Sequence, residues 1–189
     1  MELDEFKIQE FSETPKISEF GFREYDARWL YPEQINLSGI KKFGASLGIL
    51  MAEKKIKPEI IVGHDYRSYS EAVKKSLISG LLSSGINVYD VGLTVSPGAY
   101  FAQFYLDCKS VAMVTASHNK NGWTGFKMGI DRPLTFGPKL MKRLKEISLN
   151  KLEYKRNIGT YKYIEGCLLY TSDAADEGLG VDLGGRRII

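Results

Sequence analysis

The sequence is poor in cysteine, and it has no long hydrophobic run and no block of like charge. Its two cysteines, Cys108 and Cys167, are too few for a disulfide framework or a structural zinc site. No apolar run approaches the roughly 20 residues that cross a bilayer, and residues 1–5 lack the basic start of a signal peptide. The 26 Lys and Arg residues and the 23 Asp and Glu residues are dispersed, which argues against a nucleic-acid partner. We therefore expect a cytoplasmic protein whose partners include neither a membrane nor a nucleic acid.

The segment at residues 167–189 differs in kind from the rest of the chain. Residues 167–177 read CLLYTSDAADE, which is similar to one translation frame of a transposase-type sequencing adaptor. Residues 180–189 likewise resemble the translated primer that follows such an adaptor. We therefore expect a non-native tail here and exclude it from functional reasoning. The alternative interpretation is a phosphate-binding loop formed by its glycines. If the tail is foreign, the native chain continues past Gly166 into C-terminal domains that this sequence lacks.

The full sequence is 43% apolar and 26% charged, which is ordinary for a globular protein. Apolar periodicity predicts alternating strands and helices in the part before residue 167. The predicted strands cover residues 59–63, 86–91 and 110–115. The predicted helices cover residues 32–51, 68–82, 96–105 and 137–147. This alternation is typical of an α/β fold with a mostly parallel sheet. Residues 125–130 are predicted to return as an antiparallel strand after a tight polar turn.

Local signals predict where elements and domains begin and end. Pro32 suits the first turn of the first helix, and Ser68 with Glu71 matches a capping box for the second. Around Asn150 the sequence turns polar. We therefore predict one domain over residues 1–150. Residues 151–166 are predicted to be a linker and the truncated start of a second domain, with the new unit beginning at 159–164.

Three loops at the carboxyl ends of predicted strands, or at the sheet edge, carry the chemically interesting side chains. Residues 115–122 read TASHNKNG and place a hydroxyl, an imidazole and two amides directly after a buried strand. Residues 63–67 (GHDYR) and 22–28 (FREYDAR) bring guanidinium and carboxylate groups to the same region. Ligands bind at this edge of a parallel sheet because helix N-termini and backbone amides gather there. The sequence therefore predicts a site for an anionic ligand around Ser117.

These loops resemble a known family, the α-D-phosphohexomutase (phosphoglucomutase and phosphomannomutase) superfamily. Residues 22–28 look like its Phe-Arg-x-Tyr-Asp-x-Arg signature, and residues 115–119 match its Thr-Ala-Ser-His-Asn phosphoserine loop. Residues 62–67 and 97–102 are looser matches, and the likeness spans about residues 20–164. Two positions depart from the family pattern: Trp29 stands where most members have Gly, and Lys120 where many have Pro. The resemblance implies the family's first domain, an α/β three-layer sandwich with a mixed, mostly parallel sheet flanked by helices.

The resemblance also implies residue roles. Ser117 would carry the phosphoryl group and supply one oxygen ligand to Mg²⁺, and an Asp-rich loop in the missing second domain would supply the others. Arg28 would hold the phosphate, and Lys127 would assist proton movement at the sugar hydroxyl. His118 with Asn119 would shape the loop and bond the phosphate. Tyr25 is a candidate substrate contact, although an aromatic side chain at a sheet edge more often packs there.

The implied reaction interconverts hexose 1-phosphate and hexose 6-phosphate, of mannose or glucose, through a hexose 1,6-bisphosphate that also acts as activator. The partner is thus a small phosphosugar, and we expect this truncated chain to be inactive alone. Phosphoglucosamine mutase, phosphopentomutase and a non-catalytic phosphosugar- or partner-binding module remain open. A serine hydrolase is disfavoured because the Gly-x-Ser-x-Gly elbow is missing. His64 and Asp65 are candidate metal ligands, but a single His-Asp pair beside an arginine is more often a hydrogen-bonded brace of its loop. We predict this brace here, with Arg67 as structural support.

Overall fold

The structure is a computed structural model that describes residues 13–152 and 158–165. Its strands are β1 (Asp26–Leu30), β2 (Glu59–His64), β3 (Asn87–Leu93), β4 (Val111–Val114), β5 (Trp123–Gly129) and β6 (Tyr161–Tyr163). Its helices are α1 (Leu37–Glu53), α2 (Ser70–Ser83), α3 (Ser96–Tyr105) and α4 (Pro138–Leu149), with one 3-10 turn at Glu19–Gly21. In this described part of the chain, no helix is both long enough and apolar enough to span a membrane.

The six strands form one mixed sheet in the order β1-β5-β4-β2-β3-β6. The β2–β3, β2–β4 and β3–β6 pairs are parallel, whereas β5 runs antiparallel to both β4 and β1. The continuous apolar run at residues 59–63 forms a central strand because both of its faces are covered. The predicted α/β fold with a mostly parallel sheet is confirmed, including the antiparallel return at β5.

Helices cover the two faces of the sheet unequally. Helices α1, α2 and α4 pack on one face, where they share the larger buried cluster with residues such as Phe43, Leu77 and Phe126. Helix α3 packs on the opposite face over β2 and β4, around Ile61 and Met113. The described residues place no other helix on this second face. The part of the sheet formed by β1 and β5 is therefore left uncovered there.

Trp29, one of the two departures from the family pattern, lies in the core. Its side chain is fully buried, and its ring packs edge-on against Phe22 at 5.1 Å and Phe43 at 5.6 Å between centroids. Its Nε1 donates a hydrogen bond to the Ser18 carbonyl at 2.7 Å. A buried indole whose N–H has a partner avoids the cost of desolvation. The substitution therefore alters packing rather than the cleft.

Helix α1 begins at Leu37, later than the position of Pro32 predicts. Asn36 is extended, with φ −106° and ψ 174°, and its Oδ1 accepts a hydrogen bond from the Gly39 amide at 2.8 Å. An asparagine in this geometry satisfies one of the amides that a helix leaves unpaired at its start. The side-chain cap therefore fixes the start of α1, and Pro32 lies in the turn before it.

The capping box predicted at Ser68 and Glu71 is wrong. Helix α2 begins at Ser70, after Tyr69 as its N-cap residue, and no side chain caps its N-terminus. The Ser70 hydroxyl instead donates to Asp65 Oδ1 at 2.6 Å. The buried Asp65 carboxylate is thus bound to the start of α2, which sets where the helix begins.

Strand β6 forms an edge of the sheet. It pairs in parallel with β3, with Val88 opposite Tyr161 and Asp90 opposite Tyr163. The three residues of β6 therefore belong to the same sheet as β1 to β5. The domain boundary near residue 150 and the start of a second unit at residues 159–164 stay predictions.

A buried ion pair ties α2 to β3. Lys74 Nζ lies 2.9 Å from Asp90 Oδ1 and 2.8 Å from Oδ2, and only 6% and 3% of the two side chains are exposed. Asp90 also accepts hydrogen bonds from the Gly92 amide at 2.8 Å and from the Tyr161 hydroxyl at 2.9 Å. Burial, and then the charge of Asp90, raises the pKa of Tyr161, so this phenol stays protonated as a donor. One carboxylate therefore joins α2, β3 and β6.

Candidate active site

A cleft of about 440 Å³ lies at the carboxyl ends of β2 and β4 and beside the N-terminus of α3. Its lining includes Ser117, Lys127, Asp65, Arg67 and Thr115. The predicted position of a ligand site at this edge of the sheet thus coincides with a real concavity. Parallel strands, and the loops that follow them, create it.

Ser117 lies three residues after β4, in the segment that we call the Ser117 loop (residues 115–122). Its φ is +56°, in the left-handed region that non-glycine residues seldom adopt. Its amide donates to Thr115 Oγ1 at 3.0 Å, and its side chain is half-buried at the cleft. Strained backbone of this kind collects at functional sites, where surrounding contacts hold it in place. The loop presents Ser117 to the cleft, as the sequence predicts, and not to the core.

The cost of the left-handed backbone at Ser117 can be measured as a difference in the free energy of unfolding between two variants. We expect Ser117→Gly to be more stable than Ser117→Ala by about 1 kcal/mol, because a Cβ makes the left-handed conformation costly. Urea unfolding of both variants of the 189-residue chain measures the difference. Equal stabilities would mean that Ser117 is not held at positive φ in solution.

Arg28 binds the Ser117 loop across the sheet. Its Nη1 donates to Asn119 Oδ1 at 2.7 Å, while Nε and Nη2 donate to Asp26 Oδ2 at 2.9 and 2.6 Å. Contacts with the described residues thus use three of the five N–H hydrogens of the guanidinium, and the other two can donate to a ligand. Only 12% of the side chain is exposed. Asp26 orients Arg28, and Arg28 in turn orients Asn119.

Lys127 lies on the uncovered face of the sheet. Its neighbours in β5, Phe126 and Met128, are buried in the core cluster on the other face, and successive side chains of a strand alternate between faces. The antiparallel register pairs Lys127 with Asp26 and Arg28 with Gly125. Lys127 and Arg28 therefore share one face, and Lys127 lines the cleft together with Ser117.

Arg67 supports the Ser117 loop from below. Its Nη2 donates to the Ser117 carbonyl at 3.1 Å and to the Asn119 carbonyl at 2.7 Å, and its Nη1 pairs with Asp65. Its side chain is only 7% exposed. Asp65 also accepts hydrogen bonds from the Arg67 amide and the Ser70 hydroxyl. Both the loop brace and the structural support predicted for Asp65 and Arg67 are present.

The structure does not bring every predicted residue into the cleft. His118 is exposed next to Ser117, and its ring makes no hydrogen bond to the described residues. The side chain of Tyr25 is 58% exposed, and its pKa is raised mainly by a hydrogen bond with Glu24 and by the charge of that carboxylate. Neither residue is among those that line the cleft. Arg28 and Asn119 do not line the cleft either, but they are hydrogen-bonded to each other in and beside the Ser117 loop. The roles proposed for His118 and Tyr25 therefore have less support from the geometry.

Comparison with known proteins identifies this arrangement. Residues 19–155 match the family described as phosphoglucomutase/phosphomannomutase, alpha/beta/alpha domain I. The chain belongs to this family. The resemblance in the loops at residues 22–28 and 115–119 is thus confirmed across a whole domain.

Individual members of the phosphoglucomutase/phosphomannomutase family are moderately similar. A phosphomannomutase of Vibrio cholerae is 38% identical over 108 residues, which are 57% of this chain and 23% of that protein. A phosphoglucomutase/phosphomannomutase of Thermococcus kodakarensis is 35% identical over 108 residues, or 57% and 24% of the two chains. This chain thus spans about a quarter of the length of the relatives it matches.

A solved structure of a phosphoglucomutase/phosphomannomutase family protein from Burkholderia thailandensis shares the fold. The TM-score is 0.72 at 23% identity, and the match covers 82% of this chain and 35% of the other. At this level of identity, the similarity concerns the fold alone. The three-layer arrangement is therefore that of domain I of the family.

The described part of this family member contains no cluster of three or more His, Cys, Asp or Glu side chains arranged to hold a metal ion. Asp65 is the carboxylate in the cleft, and its oxygens are bound to Arg67 and Ser70. Among the residues lining the cleft, Ser117 is the one for which the sequence predicts a metal-binding oxygen.

The contacts that Asp26 and Tyr69 make near the site were not predicted from the sequence. Asp26 lies two residues before Arg28, and alternation along β1 places both on one face, a signal that could have found the pair. Tyr69 contacts the Ser117 loop 53 residues away in sequence. No local pattern predicts that contact.

Proposed function

We propose that this chain is the phosphoserine-bearing domain of a phosphohexomutase that interconverts hexose 1-phosphate and hexose 6-phosphate. The observation that carries the proposal is the position of Ser117. Ser117 has a strained, left-handed backbone and lines the same cleft as Lys127. The domain that holds it belongs to the phosphoglucomutase/phosphomannomutase family. The names of the relatives favour mannose or glucose as the sugar. A phosphoglucosamine or a phosphopentose substrate is the alternative within the enzyme class.

The two hydroxyls of a hexose are too far apart for direct transfer, so the enzyme must lend a phosphoryl group. Phospho-Ser117 gives its phosphoryl group to the sugar: the Oγ–P bond breaks as a bond from phosphorus to the sugar oxygen forms. The resulting hexose 1,6-bisphosphate reorients, its other O–P bond breaks, and Ser117 Oγ takes that phosphoryl group back. The enzyme and the number of phosphates are unchanged at the end of the cycle.

Negative charge on the phosphoryl oxygens must be balanced during each transfer, and fixed cations do so effectively in a partly dry cleft. Arg28 retains two N–H donors beside the Ser117 loop, and Lys127 stands in the cleft itself. We assign phosphate binding to Arg28 and Asn119. We assign to Lys127 the role of assisting proton movement at the sugar hydroxyl. For His118 and Tyr25, which are exposed and do not line the cleft, we propose contacts with the phosphate and with the substrate, respectively.

Mg²⁺ and a hexose 1,6-bisphosphate activator belong to this proposal through the family resemblance. A divalent cation, when bound, would supply positive charge at the transferring phosphoryl group. The oxygen on Ser117 would be its contact with this domain, and the remaining ligands would come from outside the described residues. The cytoplasm is the proposed location, since phosphosugars and reduced thiols are both found there.

The proposal is tested by labelling. The full-length protein is incubated with a hexose 1,6-bisphosphate, and its peptides are analysed by mass spectrometry. We expect a gain of one phosphate on Ser117 and none in the Ser117→Ala variant. A protein that binds phosphosugar but never acquires this phosphate would be a non-catalytic binding module.

A further inference from the structure

The Tyr69 hydroxyl connects the two segments that build the cleft. It accepts a hydrogen bond from the Gly122 amide at 2.8 Å and donates one to the Trp123 carbonyl at 2.9 Å. Both partners lie where the Ser117 loop enters β5. We propose that Tyr69 is a positioning residue, which fixes the outgoing end of the Ser117 loop and thereby the orientation of Ser117. Its consequence for phosphoryl transfer rests on the proposed function.

The Tyr69 hydroxyl bridges two neighbouring backbone groups, the Gly122 amide and the Trp123 carbonyl. A phenol can donate one hydrogen bond and accept others, and here it does both with consecutive residues. Gly122 has a φ of +92°, which glycine adopts at little cost, and its carbonyl accepts from the Tyr31 amide at 2.8 Å. Both backbone polar groups of Gly122 are therefore held, one by Tyr69 and one by Tyr31.

The ring of Tyr69 is itself held in place. It stacks on the ring of Tyr31, with 5.3 Å between centroids and 27° between planes. Such aromatic pairs add stability beyond the area they bury. The hydroxyl of a stacked, half-buried ring has little freedom to follow a moving loop, so it acts as an anchor.

The Ser117 loop needs a second anchor. Arg67 holds the carbonyls of Ser117 and Asn119, whereas Lys120 and Asn121 are exposed and make no side-chain hydrogen bond to the described residues. No proline stiffens residues 115–125. Arg28 adds a hydrogen bond to Asn119 Oδ1, and at the end of the loop the Tyr31 amide holds the Gly122 carbonyl. Without Tyr69, the Gly122 amide and the Trp123 carbonyl would lose their side-chain partner.

Arg67 and Tyr69 are two residues apart in the turn between β2 and α2. This one turn therefore forms hydrogen bonds with the Ser117 loop near its start, through Arg67, and at its end, through Tyr69. The left-handed conformation of Ser117 is costly and persists only while its surroundings enforce it. Loss of the hydrogen bonds of either residue would let the backbone of Ser117 leave the left-handed conformation. Misplacement of a reacting group by about 1 Å can cost roughly a hundredfold in rate.

The test compares Tyr69→Phe with Tyr31→Phe. Each change removes one hydroxyl from the same stacked pair, but the Tyr31 hydroxyl makes no hydrogen bond to the described residues. Amide hydrogen exchange is measured in the 189-residue chain, with global stability measured separately. We expect exchange at Gly122 and Ser117 to become at least about tenfold faster in Tyr69→Phe and to stay unchanged in Tyr31→Phe. Unchanged exchange at both amides in Tyr69→Phe would overturn the proposal.

A kinetic arm uses the full-length protein. We expect Tyr69→Phe to lower the rate of Ser117 phosphorylation by a hexose 1,6-bisphosphate roughly tenfold and to leave KM for the sugar phosphate little changed, because Tyr69 does not line the cleft. A rate equal to that of the unsubstituted protein, despite faster exchange, would overturn the positioning role. Absence of labelling in the unsubstituted protein would count against the mutase itself, and the exchange data would still decide whether Tyr69 anchors the loop.

Discussion

Substitution of Ser117 by alanine is expected to lower kcat of the full-length protein by roughly 10⁴-fold or more, which is the scale of loss when the group that carries a covalent intermediate is removed. The physical reason is that Ser117 Oγ carries the phosphoryl group in the proposed cycle: without it, the enzyme could neither lend a phosphoryl group nor recover one. The conversion of hexose 1-phosphate to hexose 6-phosphate, followed in the presence of the bisphosphate, measures the effect.

The matched control for this prediction is Ser68→Ala, which makes the same chemical change at an exposed serine next to Arg67. Ser68 lies outside the residues that line the cleft and makes no hydrogen bond to the described residues. We expect its kcat to stay within about twofold of that of the unsubstituted protein, since exposed substitutions away from special features have small effects. If Ser117→Ala kept more than a tenth of the activity, Ser117 would not be the phosphoryl carrier.

The second large effect concerns the buried pair of Lys74 and Asp90. We expect Asp90→Ala to lower the free energy of unfolding by about 3–5 kcal/mol, because it leaves the Lys74 ammonium buried without a counter-charge. It also removes the acceptor of the Gly92 amide and of the Tyr161 hydroxyl. Since domains of this size are stable by about 5–15 kcal/mol, this variant of the 189-residue chain is expected to be marginally folded. Urea unfolding followed by circular dichroism measures the change.

A double variant separates the ion pair from the rest of the network. The Lys74→Met/Asp90→Asn variant leaves no unpaired buried charge, and its asparagine can still accept from Gly92 or Tyr161. We expect it to recover at least about 2 kcal/mol relative to Asp90→Ala, since replacing both partners of a buried pair is far less costly than removing one. A loss below 1 kcal/mol in Asp90→Ala would mean that this pair does not stabilise the fold.

The sequence predicts the layers of the fold well because local periodicity determines them. Helix α3 matches its predicted range of residues 96–105, and the run at residues 110–115 contains β4. The starts of α1 and α2 are less predictable, since Asn36 and Asp65 act through hydrogen bonds that depend on the folded chain. The edge strand β6 has a three-residue pairing that carries little sequence signal.

The candidate site is predictable in part. Ser117, Arg28 and Lys127 follow from motifs, and the structure places them around one edge of the sheet. The side chains that hold them, among them Asp26 and Tyr69, act over distances that no motif spans. A motif records which groups do chemistry, whereas the contacts that orient those groups depend on how distant segments meet.

The unequal covering of the sheet has a consequence for how this protein could be altered. Arg28 and Lys127 project from β1 and β5 into space that a second helix on that face would occupy. The gap in the layer is thus the room in which a ligand can be accommodated, and its floor is made of β5, which is paired with a strand on both sides, and of the edge strand β1. We therefore expect substitutions at Lys127, which faces this gap, to change ligand preference more than stability, whereas substitutions at the core-facing positions of the same strands, such as Trp29 and Phe126, would destabilise the fold.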